Sequence, residues 1–113
     1  MILSTVAVSY SKANYQDIEP TADAMHFLRD ALDCENVGVT IVDCEPGWTN
    51  EAHDHGDEQQ EEVYVLVEGE ATVTVEDDVI EMEAGDAVRI SPDATHQIKN
   101  GETDSRFVLV GAP

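Results

Sequence analysis

Short apolar runs alternating with polar residues return about every ten residues along this chain, and that rhythm most constrains its fold. Residues 37–42 (Val-Gly-Val-Thr-Ile-Val) alternate and stop at Glu45-Pro46-Gly47. A second run, 63–67, is followed by Glu68-Gly69, and a third, 71–75, has clean period-two alternation. The acids Glu76, Asp77 and Asp78 lead into 79–82, Ala84-Gly85-Asp86 into 87–90, and Pro92-Asp93 ends that run. Residues 96–99 precede Asn100-Gly101, a strong hairpin signal, and 106–110 close the series. Side chains on a strand alternate faces, so each run buries one side and wets the other. Seven or eight such strands predict an all-β barrel or sandwich, folded as one domain over 1–113.

Two N-terminal stretches add to this. Residues 2–8 lack a basic leader and read as a first strand, not a signal peptide. Ala24, Phe27, Leu28, Ala31 and Leu32 match a helical i, i+3, i+4, i+7, i+8 pattern that Thr21 would cap. The spacing favours one short helix within 22–33, with an edge strand over 25–29 as the alternative.

Chemistry concentrates in four residues. His53 and His55 are spaced i, i+2, so on extended backbone their rings share a face, whereas on a helix they would splay apart. Glu62 follows a polar turn and opens the apolar run 63–67, predicted as the next strand, antiparallel to the first. With His96 these residues offer three imidazoles and a carboxylate to one ion. Glu61 competes for the register of Glu62, and on a strand it faces away.

Charge and thiols limit the surroundings. The 113 residues carry 25 Asp plus Glu against 5 Lys plus Arg, a formal charge of −20. Nucleic acid and anionic membranes are excluded as partners, because no basic footprint meets phosphate. No apolar run approaches the ~20 residues of a membrane span. Acids interleaved with regular apolar alternation are not a disordered tail; they suit a cytoplasm of molar salt, where self-repulsion is screened. Cys34 and Cys44 lie outside any C-x-x-C spacing and are expected reduced and partly buried.

The spacings resemble the two motifs of the cupin superfamily. Gly47, His53, His55, Glu62 and Gly69 follow the order of the first motif, over 47–69, and Gly85, His96 and Asn100 that of the second, over 85–100. The gap from His55 to Glu62 is two residues longer than usual, consistent with a longer hairpin loop, while Glu62 keeps its offset to Gly69. Ser91 and Asp93 stand where the family has Pro and Gly, and Pro92-Asp93 can still turn the chain.

The resemblance implies a single small cupin barrel with a metal held by His53, His55, Glu62 and His96, and a homodimer to which strand 2–8 contributes. Mixed nitrogen and oxygen donors suit one divalent transition metal, with Fe, Mn, Ni, Cu and Zn indistinguishable. Open positions on such an ion would bind a small oxygen-rich molecule. Two functions fit: a metal-dependent oxygenase, isomerase or lyase, or a non-catalytic module binding or sensing a small ligand. Tyr64, two residues after Glu62, points to the same side and either lines the pocket or fills the barrel. His26 stands outside both motifs and is expected at the surface or in the core. Asn100 is expected to open a tight turn, Trp48 to pack in the core and Arg89 to face out.

Overall fold

The computed structural model describes residues 9–113; the strand expected over 2–8 lies outside them. Eight strands follow in order: β1 Met25–Phe27, β2 Gly38–Cys44, β3 Glu61–Glu68, β4 Glu70–Val75, β5 Asp78–Glu83, β6 Ala87–Ile90, β7 His96–Asn100 and β8 Ser105–Ala112. They form two antiparallel sheets, a five-stranded one ordered β1-β2-β8-β3-β6 and a three-stranded one ordered β5-β4-β7. This is the predicted all-β architecture, a jelly-roll barrel.

Alternation places the core where the sequence requires it. Along β3, Glu62, Tyr64 and Leu66 turn inward, and along β8 Ser105, Phe107, Leu109 and Gly111 do. Val42, Leu66, Val73, Ile98 and Phe107 are completely buried between the sheets. Each such side chain contributes about 1.5–3 kcal/mol through burial. Glu61 and Arg89 face solvent as expected and pair with each other across β3 and β6.

Three local expectations need correction. Residues 22–33 are mostly not helical: Met25–Phe27 pair with β2, and only Arg29–Leu32 form one α-helical turn, α1. Thr21 caps nothing. Its carbonyl accepts from the N–H groups of Ala24 (3.2 Å) and Met25 (2.9 Å), closing a tight turn through Ala22 and Asp23, both at positive φ. Pairing with β2 satisfies backbone groups that a marginal three-turn helix would have to satisfy alone, and the sheet wins.

Asn100-Gly101 is not a hairpin tip, because β7 and β8 belong to different sheets and the chain turns a corner there. Asn100 is buried, and its side-chain amide donates to the carbonyls of Glu45 (2.7 Å), Thr103 (2.8 Å) and Cys44 (3.3 Å). Ser105 Oγ donates to its Oδ1 at 2.7 Å. Gly69, at φ +83°, packs under this corner; a Cβ there would stand 2.3 Å from the Asp104 carbonyl oxygen. Only glycine fits both demands.

Candidate metal centre

His53 and His55 sit on the extended segment between β2 and β3, not on a regular strand. The segment lies along β7 and widens the smaller sheet: His53 and His96 exchange N–H to carbonyl bonds of 3.0 and 2.8 Å, and His55 N–H reaches the Pro92 carbonyl at 2.9 Å. Between the Thr49–Lys99 bridge and the His53–His96 bridge the segment carries one residue more than β7. Asn50 absorbs the bulge, its Oδ1 accepting from Ile98 N–H at 2.8 Å and its carbonyl from Gln97 Nε2 at 2.6 Å. The expectation that Glu62 lies on the strand next to the histidine pair is therefore corrected. β3 is in the other sheet, and Glu62 faces the histidines across the barrel.

All four predicted residues nevertheless converge. One donor atom from each of His53, His55, Glu62 and His96 lies within 4.8 Å of the others. Glu62 Oε1 is 2.8 Å from His55 Nε2 and 3.2 Å from His96 Nε2. Those separations suit hydrogen bonds, yet Glu62 Oε1 and His96 Nε2 are buried with no properly aimed partner. Orphaned buried polar atoms are costly unless something else satisfies them. Donors about 2.1 Å from a first-row ion and at right angles would stand about 3 Å apart, close to the 2.8 and 3.2 Å that separate Glu62 Oε1 from His55 Nε2 and His96 Nε2.

The other ring nitrogens are already fixed. Nδ1 of His53 and of His96 each lie 2.9 Å from a backbone carbonyl, those of Glu51 and Ala94, so both donate. His55 Nδ1 is 3.2 Å from the Glu58 carboxylate. Nδ1–H donation leaves each Nε2 lone pair pointing inward, the tautomer a ligating imidazole needs. Burial works against charge on His96, but the Glu62 carboxylate and the Ala94 carbonyl outweigh it and raise its pKa. The donor set thus fits a divalent cation, and the cluster could hold one. Glu58, which the motif spacing does not single out, joins the site by orienting His55; its place three residues after His55 within a turn is the signal that could have found it.

A cavity of about 660 Å³ opens beside the cluster, walled by Met25, Phe27, Thr40, Gln60, Tyr64 and Leu109 among others. Tyr64 both lines it and fills the barrel, its buried ring set edge-on to His96 at 5.4 Å. Burial, and then the charge of Glu62, push its hydroxyl pKa far up, so it holds its proton. His26 stays apart, bonded through Nδ1 to the Ile18 carbonyl at 2.8 Å. Trp48 is half-buried against the core, and its Nε1–H donates to the Ala22 carbonyl. Cys34 and Cys44 are unbridged.

The model of the cupin domain matches residues 40–111. The chain belongs to the cupin family. No curated protein matches it. Among solved structures this cupin is similar to a cupin protein from Bacteroides fragilis, with 30% identity over 89% of this chain and 86% of that one, TM-score 0.72. A sugar phosphate isomerase of the cupin superfamily from Silicibacter pomeroyi shares 27% identity over 79% of this cupin and 58% of that chain, TM-score 0.68. KdgF from a Halomonas species shares the fold at 20% identity, TM-score 0.64, over 69% of each chain.

Proposed function

We propose that this cupin holds one divalent transition metal on His53, His55, Glu62 and His96 and acts on a small oxygen-rich metabolite that chelates the ion. The observation that carries this reading is the pair of orphaned buried donors, Glu62 Oε1 and His96 Nε2, facing two further imidazoles. When bound, the ion supplies Lewis acidity toward a ligand oxygen. The chain's own residues do the rest. Glu51, Glu58 and Ala94 orient the three rings, Tyr64 offers a hydroxyl proton as hydrogen-bond donor, and Met25, Phe27 and Leu109 give the cavity an apolar wall. Of the oxygenase, isomerase and lyase classes, isomerase is favoured by the likeness to a sugar phosphate isomerase.

A second reading, a binding or sensing module, is favoured by the composition of the cavity wall. Beyond the metal donors, its titratable groups among the described residues are Arg29, Glu51 and Tyr64. Elemental analysis after purification in molar potassium chloride tests the metal. One equivalent per chain is expected, lost in His96→Ala and in Glu62→Ala; equal trace metal in all three would sink the site. Aldose–ketose interconversion and dioxygen uptake, assayed on iron-, manganese-, nickel-, copper- and zinc-loaded protein, then separate enzyme from binder. Ligand binding without turnover in every loaded form selects the binder.

A further inference from the structure

We infer that the cavity is selective for a metabolite bearing an anionic oxyacid group, carboxylate or phosphate, held by Arg29 at the end opposite the metal donors. The inference rests on the metal site proposed above and names the class of ligand it serves.

The strand register sets the geometry. Glu62 on β3 pairs with Gly111 on β8, and Gly111 pairs with Gly38 on β2. All three turn toward the barrel interior. Leu28 N–H donates to the Val39 carbonyl at 2.9 Å, so Arg29 leaves β1 alongside Gly38. The paired row therefore runs Glu62, Gly111, Gly38, and Arg29, the first residue of α1, lies beside its β1 end. Three strand spacings of about 4.8 Å separate Glu62 from Arg29, about 14 Å between backbones. The two middle positions are glycines and project no side chain.

Gln60 uses that room. It precedes β3 with the inward parity of Glu62 and Tyr64, and its side chain lies over the glycines, Nε2 being 3.0 Å from where a Cβ of Gly111 would stand and 3.8 Å from that of Gly38. No described residue hydrogen-bonds its amide, and it lines the cavity with Thr40. An amide over a glycine floor can donate to or accept from a ligand hydroxyl midway along the row.

Arg29 is then the cation at the far end. Of the five Lys and Arg residues it alone lines the cavity, and Arg89 and Arg106 are paired to carboxylates. One guanidinium nitrogen donates to the Glu35 carbonyl at 2.9 Å, which fixes the fork and leaves its remaining donors for a bidentate oxyanion. In a chain of charge −20 most of the surface repels an anion, and within the cavity this guanidinium is the fixed positive charge that attracts one. The distance from Glu62 to Arg29 suits a ligand that chelates with one end and carries its charge on the other.

Titration calorimetry on zinc-loaded protein at low ionic strength tests this with gluconate, glucose 6-phosphate and glucose. At least one charged probe is expected to bind tenfold or more tightly than glucose. Which one wins distinguishes carboxylate from phosphate. Arg29→Gln should abolish that preference at unchanged zinc content, and Arg29→Lys should restore part of it. Equal affinities for all three probes, no binding of any, or an unchanged preference in Arg29→Gln would overturn the inference while leaving the metal site standing. Failure to take up any of zinc, iron, manganese, nickel or copper would overturn both.

Discussion

Asn100 and His96 show how single residues set this fold and its chemistry. The Asn100 side chain ties β7, the loop after β2 and the start of β8 into one corner, and no apolar side chain replaces its four bonds. Asn100→Ala leaves buried carbonyls and the Ser105 hydroxyl without partners and should cost about 3 kcal/mol. Urea denaturation measures it; a loss under 1 kcal/mol would mean water substitutes for the amide. If the proposed site takes up a metal, His96 makes the response to pH depend on it. In the metal-free chain its raised pKa adds stability fully present below the ordinary histidine value of about 6.5 and lost as pH rises past the elevated one. Metal reverses the sign, because ligation requires the neutral ring. The gap in melting temperature between loaded and stripped protein should therefore widen from pH 5 to pH 8. A constant gap would mean that the ring's proton and the ion do not compete.

Among the elements, the turn leading into β1 is the one that places two successive non-glycine residues at positive φ. Ala22 and Asp23 both occupy the left-handed region, at φ 52° and 65°, at about 1 kcal/mol each. Asp23→Gly should recover about 1 kcal/mol, visible as a higher melting temperature; an unchanged or lower value would show that glycine's extra freedom when unfolded cancels the relief. This turn also marks where sequence stops being sufficient. The strands from β2 to β8 were legible because period-two burial is written into each run separately, and the cluster of His53, His55, Glu62 and His96 because motif spacing survives a longer loop. The helical pattern in 24–32 misled because a three-residue strand and one helical turn together mimic it, and the choice belongs to β2, which pairs there. Asn100-Gly101 misled for a related reason: a local turn signal cannot say whether the chain folds back on itself or crosses to another sheet. The row from Glu62 towards Arg29 was invisible in sequence, since only the strand order β1-β2-β8-β3 brings its members side by side.

For the whole molecule, charge dominates. Twenty-five acids face five Lys and Arg, and the described ion pairs of Arg89 and Arg106 neutralise only a few of them. Raising potassium chloride from 0.1 to 2 M shortens the screening length from about 10 Å to a few ångströms and should raise the melting temperature steadily. A flat or falling curve would show that self-repulsion is not what limits stability. Against that uniform field, the bare backbone at residue 111 works as a local dial. The Gln60 carboxamide carbon also lies 3.0 Å from where a Cβ would stand there, so even a methyl group would force the carboxamide aside and shorten the space for a guest while the metal donors kept their places. Cousins of this chain that differ at that one spot should therefore accept smaller molecules around an unchanged centre.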